Sequence, residues 1–362
     1  MLPSPSIGGG AGSGGVLLRP PGNLSSPGTM AGTLSDRTVL LFYKDYEQDK
    51  WLPGDRYLKR VVRPVYQRLT GRKPRVSGFL VAYLRLVEAL RRSGYDVRLN
   101  DYRAARRNPE HPVGLFGYPR LLNGWKLPNP AVLGPGLYDH PKIAPRLMED
   151  ERHRSYLVCS EWVRSLFARY YGDAVKIWFA GIDAAKWDDT RAHPKDVDVL
   201  VYDKIYWDRE RYEPELVNPV VERLERRGLK TLVLRYGTYD HEAYRRALSR
   251  SRSMLFLCAN ETQGLAYQEA LVSNVPVIAW DQGWWQDPRR PQWEDEPVPA
   301  SSVPYFTEEC GEKFRSLEEF DPAFERFWER LEGYTPRAYV TRELSLERSA
   351  EAYMACYREA AG

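Results

Sequence analysis

Residues 255–283 read LFLCANETQGLAYQEALVSNVPVIAWDQG, and the fold turns on how that stretch is parsed. Arg252 to Cys258 is a nearly unbroken apolar run, which suits a parallel strand covered on both faces. Asn260 and Thr262 offer capping oxygens ahead of a helix, and Gly264 allows a close backbone approach. Leu265 to Val272 can coil, and Val275 to Trp280, with Pro276 near its start, returns to strand. The order is strand, sharp turn, short helix, strand. A glycine-containing turn that opens a helix leaves N–H groups without intrahelical partners, aimed outward at the positive end of the helix dipole. Such a mouth suits a phosphate.

Two carboxylates frame the turn, Glu261 just before it and Glu269 eight residues later. At roughly 3.6 residues per turn, Glu269 lies about one turn beyond Leu265, so one acid reaches ahead of a bound phosphate and the other behind it. The spacing alone is ordinary in an acid-rich chain, where such a pair usually marks a solvated helix face. The residues around it add information. Glu261, Gly264, Leu265, Glu269 and Ala270, then Pro276, Val277, Ile278, Ala279, Asp281 and Gly283, resemble the signature of retaining nucleotide-sugar glycosyltransferases of the GT-B type, the family 4 or group 1 enzymes. The resemblance implies that the Gly264 and Leu265 amides hold the donor diphosphate. It also implies that Glu269 bonds the ribose and Glu261 the transferred sugar. Enzymes of this kind use Arg, Lys and helix dipoles on the leaving group, so no tightly bound metal and no cofactor beyond the nucleotide-sugar substrate is expected. Thr262-Gln263 replaces the family's glycine-aromatic pair, and Gln282-Gly283 replaces two glycines.

At 362 residues the chain is too long for one ordinary core and suits two domains. Strands and helices alternate on both sides of the opening stretch, so the fold class is α/β, with two Rossmann-like domains facing a cleft, as the GT-B architecture implies. Residues 1–37, rich in Gly, Pro and Ser, read as a disordered extension in which Met30 is a candidate start. The resemblance implies that residues 38–190 form the first, acceptor domain and 191–339 the second, donor domain. It also implies that the last helix, within 340–362, crosses back onto the first. A net charge of +4 does not suit a general nucleic-acid binder, and no stretch approaches the roughly 18 apolar residues of a spanning helix. Cys159, Cys258, Cys310 and Cys356 show no paired spacing and read as buried thiols of a reducing, cytoplasmic compartment.

Along the first domain, Thr38 to Tyr43 is a buried strand, Gly78 opens a helix with Leu80, Leu84, Val87 and Leu90 on one face, and Asp96 to Leu99 is strand again. The family carries one or two glycines before this helix on the donor or acceptor side, and only Gly78 is present here. Two basic runs, 71–75 and 103–107, fall in loops. They are either solvated surface or a hold for a phosphorylated or lipid-linked acceptor and an anionic membrane face. A strand over 131–137 leads to Asp139 and His140, which a strand end would turn toward the crevice, and the resemblance places a His there beside the sugar. Strands over 154–160 and 176–180 flank a helix over 161–171. Ser160 and the Gly181-Ile182-Asp183 stretch mark the crossover, with Ala180 in place of the family's asparagine.

The second domain opens with a strand from Val197, and Lys204, Arg209 and Arg211 follow it where the family places its phosphate-binding cations. Tyr202-Asp203 replaces the usual glycine-arginine there. Asp196-Val197-Asp198 has the form of a metal-binding DxD string but precedes a strand, and reads as coincidence. Helices over 215–228 and 241–251 flank a strand over 230–236, and two more helices cover 320–331 and 344–361. The Trp-rich run over 281–293 either stacks on a sugar or base or packs inside. The reading is a retaining hexosyltransferase acting on a glycan, lipid-linked glycan or small molecule. A nucleotide-sugar epimerase and a non-catalytic glycan-binding relative share the same residues as rivals.

Overall fold

The computed structural model describes residues 34–44 and 78–362. Most of the N-terminal extension and the basic run at 71–75 therefore lie outside the described residues. The first domain runs β1 (Thr38–Lys44), α1 (Gly78–Arg92), β2 (Asp96–Leu99), α2 (Tyr102–Arg107), β3 (Val113–Gly117), α3 (Arg120–Asn123), β4 (Ala131–Leu133), β5 (His153–Val158), α4 (Glu161–Tyr171) and β6 (Val175–Ile177). The second runs β7 (Val197–Asp203), α5 (Arg209–Tyr212), α6 (Asn218–Arg226), β8 (Thr231–Arg235), α7 (His241–Arg250), β9 (Ser251–Leu257), α8 (Leu265–Val272), β10 (Val277–Trp280), β11 (Gly311–Phe314) and α9 (Leu317–Glu329). Two helices close the chain, α10 (Pro336–Glu343) and α11 (Leu346–Ala361).

The fold is α/β, with two all-parallel sheets ordered β2-β1-β3-β4-β5-β6 and β8-β7-β9-β10-β11. Each sheet starts in its interior, adds a strand on one side, then returns to build the other side. This puts a topological switch between β1 and β3 and another between β7 and β9, where an open sheet leaves a crevice at its C-terminal edge. The strands are apolar for the reason the reading of 252–258 gave: helices cover both faces, and Met254, Leu255, Phe256 and Leu257 of β9 are fully buried.

α11 packs into the core of the first domain, with Ala350, Tyr353 and Tyr357 against Tyr83, Leu86 and Leu90 of α1. The Tyr357 hydroxyl accepts from the Leu40 amide at 2.9 Å, tying the end of the chain to β1. The backbone crosses between the domains twice at one place, where the Ile182 amide donates to the Leu344 carbonyl at 2.8 Å. Gly181 is required there: an added Cβ would sit 2.6 Å from the Ser345 carbonyl oxygen and 2.8 Å from Leu346 Cα.

Several local expectations are corrected. The 103–107 basic run is helix, started by the Asp101 carboxylate that accepts from the Ala104 amide, with Ala104 and Ala105 buried and the arginines outward. Strand β4 stops at Leu133, because Gly134 takes φ +83° and turns the chain away. Strand β3, an interior strand of the first sheet, is short, contains Gly114 and Gly117 and left no periodic signal; β11 and α10 were equally unmarked. The helix after 241 and the helix at Glu161–Tyr171 lie where the sequence placed them, between their neighbouring strands.

Candidate functional site

The C-terminal edge of the second sheet brings two of the singled-out residues together. Lys204 follows β7 directly, its amide donating to the Leu257 carbonyl at 2.8 Å, and Glu261 lies four residues beyond the end of β9. Across the β7/β9 switch the Lys204 ammonium pairs with the Glu261 carboxylate, the two side chains only 11% and 14% exposed. The Tyr236 ring centroid lies 4.7 Å from the ammonium, a cation–π contact, and the Cys258 thiol lies 3.6 Å from Glu261 Oε1. Burial alone would pull the lysine pKa down. Glu261, joined by Cys258, Tyr236 and Tyr206, outweighs it, so the net shift is upward and Lys204 stays cationic. The same burial pushes the Tyr206 and Tyr236 phenols up.

Both domains hold the Glu261 backbone: its amide donates to the Ser301 carbonyl at 2.9 Å, and its carbonyl accepts from Trp162 Nε1 of α4 at 2.8 Å. The expected capping by Asn260 or Thr262 does not occur. Asn260 Oδ1 instead accepts from the Gln286 amide at 3.0 Å, and Gly264 is the residue that opens α8. Gly264 takes φ 84°, ψ 55°, and no side chain caps the helix, so the first amides of α8, Leu265 among them, keep their donors for another partner. A Cβ at Gly264 would lie 2.2 Å from Tyr267 Cε1. Gln263 bonds both the amide and the carbonyl of Ala180 at 2.9 and 2.8 Å, anchoring the turn to the crossover.

Glu269 sits in the second turn of α8 and meets the first domain. Its Oε1 accepts from Arg85 Nη2 of α1 at 2.6 Å, with the side chains 12% and 17% exposed. Burial raises the Tyr239 phenol, its hydrogen bond with Tyr202 and the Lys204 charge oppose that, and Glu269 adds to it. The two acids thus flank the mouth of α8, each already paired with a cation, Glu261 with Lys204 and Glu269 with Arg85.

Other candidates lie elsewhere. Arg209 is committed to the buried Asp203 at 2.7 Å and to Glu213 at 2.8 Å, neutralising a carboxylate at the end of β7. Arg211 points to the surface, paired with Glu215 at 2.9 Å. Neither joins Lys204. Gly78 opens α1 at an exposed position, and an added Cβ there would meet nothing within 4 Å. His140 does not face open space, because β4 has ended well before it. Its ring is fully buried, parallel within 3° to Trp293, and its Nε2 donates to Glu294 Oε1 at 2.9 Å. Asp139 pairs with Arg289 at 2.7 Å. Both are therefore docking points for the Trp-rich loop, which folds from the second domain onto the first. Glu294 also takes Arg169 of α4 at 2.9 Å, and Trp285 packs in the first domain's core. Trp284 stays 48% exposed beside a hollow of about 400 Å³ on this loop, whose Asp287 and Arg290 are spent on Arg289 and on the Glu294 and Glu296 carbonyls. Asp196 and Asp198 of the DxD string pair with Arg250 and Arg252.

No protein-family model matches this chain, and no curated protein matches it in sequence. Solved structures do. It is similar to sucrose-phosphate synthase from Thermosynechococcus elongatus, with 13% identity, a TM-score of 0.48, and coverage of 89% of this chain and 98% of that one. It is similar to the apo lipopolysaccharide outer core galactosyltransferase WaaB, with 8% identity, a TM-score of 0.47, and coverage of 88% and 98%. Similarity to TarM has 11% identity and a TM-score of 0.45 over 68% of this chain, which spans 54% of the length of TarM.

Arg85, Trp162 and Gln263 were missed by sequence reasoning. A signal for the first existed: Arg85, Glu88 and Arg92 recur at helical spacing along α1 and meet Glu269, Lys186 and Asp183 in turn. Trp162 and Gln263 act through a ring N–H and an amide on backbone atoms of the opposite domain or the crossover, and no local pattern announces such a bond.

Proposed function

We propose that this chain is a retaining glycosyltransferase that moves a hexosyl group from a nucleoside-diphosphate sugar to a glycan, a lipid-linked glycan or a small molecule. The observation that carries the reading is the largely enclosed Lys204–Glu261 pair at the β7/β9 switch, set beside the uncapped mouth of α8. A leaving diphosphate gathers negative charge, and a fixed cation with free helix amides supplies stabilisation where water is excluded. Lys204 and the Gly264 and Leu265 amides serve the diphosphate, which requires no tightly bound metal. Glu261 exchanges part of its contact with Lys204 for hydroxyls of the sugar, and Glu269 takes the ribose hydroxyls. Attack and departure on the same sugar face, with a phosphate oxygen assisting the incoming hydroxyl, preserve the anomeric configuration.

The exposed Arg103, Arg106 and Arg107 of α2 support an anionic or lipid-linked acceptor at a membrane face, reached from the cytoplasm. No helix among the described residues is long and apolar enough to cross a membrane. The test is calorimetric titration with UDP, GDP and ADP, followed by donor turnover and proton NMR of the product. Binding of one nucleotide, weakened by Glu269→Ala, together with a product of unchanged anomeric configuration, is expected. Unchanged affinity in Glu269→Ala refutes its role, and conversion of the donor sugar without any acceptor identifies an epimerase instead.

A further inference from the structure

Three charged side chains of α1 reach the second domain and the crossover, and one of them differs from the rest. Arg92 and Glu88 are 45% and 30% exposed, as expected of surface pairs. Arg85 is enclosed, and only one end of its guanidinium is used: Nη2 holds Glu269 Oε1, while Nη1 is buried without a partner among the described residues. Buried guanidinium nitrogens are nearly always bonded, so a donor left over marks a place where an acceptor belongs. On the facing carboxylate, Oε2 takes no bond from any described side chain, so each partner keeps one end free on the same side chain that makes the pair.

We infer that Arg85 is a nucleotide-binding residue supplied by the first domain, orienting Glu269 with one nitrogen and donating the other to the phosphate-bearing end of a nucleoside diphosphate. The inference rests on the reading of Glu269 as the ribose ligand given above. A guanidinium suits the task because its nitrogens lie in one rigid plane, so a carboxylate and a phosphate oxygen can be engaged side by side. Glu269, held at Oε1, keeps Oε2 for a ribose hydroxyl. Two groups from different domains then share one ligand, and the nucleotide itself draws α1 against α8.

The discriminating substitution is Arg85→Lys. Lysine keeps a cation opposite Glu269 but carries its donors on a single nitrogen, so it preserves the interdomain pair and removes the second, separate donor nitrogen of the guanidinium plane. Titrations of the full chain with UDP, GDP and ADP are run for the wild type, Arg85→Lys, Arg85→Ala and Lys186→Gln, which breaks a neighbouring pair on the same stripe. Both Arg85 variants are expected to lose about tenfold in affinity for the nucleotide the wild type binds, as for a lost charge-assisted hydrogen bond. Lys186→Gln is expected to bind like the wild type, and ligand-free melting of Arg85→Lys to be unchanged. Wild-type affinity in Arg85→Lys, whatever Arg85→Ala does, overturns the inference and leaves Arg85 a domain-pairing residue. If the wild type binds none of the three nucleotides, the glycosyltransferase reading fails first and this inference with it.

Discussion

Replacing Gly264 by alanine strikes the turn on which both the fold and the site depend, and its cost can be worked from two separate terms. The residue sits at φ 84°, ψ 55°, where an L side chain loses roughly 1–2 kcal/mol. The added Cβ also meets Tyr267, at 2.2 Å from Cε1 and 2.6 Å from Cδ1. That ring cannot yield easily: it is fully buried, it packs against Phe256 at 5.5 Å, and its hydroxyl accepts from the Tyr305 amide at 3.0 Å and donates to the Tyr305 carbonyl at 3.2 Å. Overpacking of this kind adds about 1–3 kcal/mol, for a total of about 2–5 kcal/mol. Gly283 is the control, since it has φ +98° but open space where a Cβ would stand, so Gly283→Ala carries only the backbone term of about 1–2 kcal/mol. Equilibrium urea unfolding followed by tryptophan fluorescence measures both. Equal losses in the two variants, or a Gly264→Ala change within about 0.5 kcal/mol of wild type, refute the claim that the turn is locked by the Tyr267 ring.

Three further outcomes are expected. Lys204→Met leaves Glu261 enclosed without its cation and should cost ~3 kcal/mol. Glu261→Gln added to it should recover part of that loss, and a double-mutant cycle with strictly additive effects would falsify the pairing. His140 is held below its ordinary value of 6.5 by burial, only partly opposed by Glu294. The unfolded chain therefore takes up a proton before the folded one does, and stability should fall as pH drops below 6.5. His140→Gln should flatten that segment of the stability curve. The separate loss below 4.5 should persist, where Glu294, raised by burial but held low by Arg169, takes its proton. Gly181→Ala drives a methyl against two backbone atoms at the interdomain crossing and should cost ~2 kcal/mol or more in the same unfolding assay. A neutral result there means that the crossing can separate.

Much of the fold was legible because it is encoded between neighbours. The apolar run of β9, the glycine at 264 and the apolar return of β10 state strand, turn and strand within thirty residues, and α4 and α7 were legible as the helices between neighbouring strands. Lys204 and Glu261 were each legible as residues at strand ends, although 57 positions separate them. Their meeting follows from the strand order, since β7 and β9 become neighbours only after β8 is added on the far side. What composition and spacing could not state were the bonds made across the two sheets. His140 resembled a crevice histidine until β4 was seen to stop at Leu133 and the loop carrying Glu294, 154 residues away, covered its ring. Arg209 and Arg211 were two cations in the right segment, and only the position of Asp203 and the direction of α5 showed one neutralising a buried acid and the other facing water. Local periodicity tells which face of an element avoids water. Which charge on the opposite face finds a partner depends on how the two sheets are brought together, and for Arg85 and Glu269, 184 residues apart, that information exists only in the packing of α1 against α8.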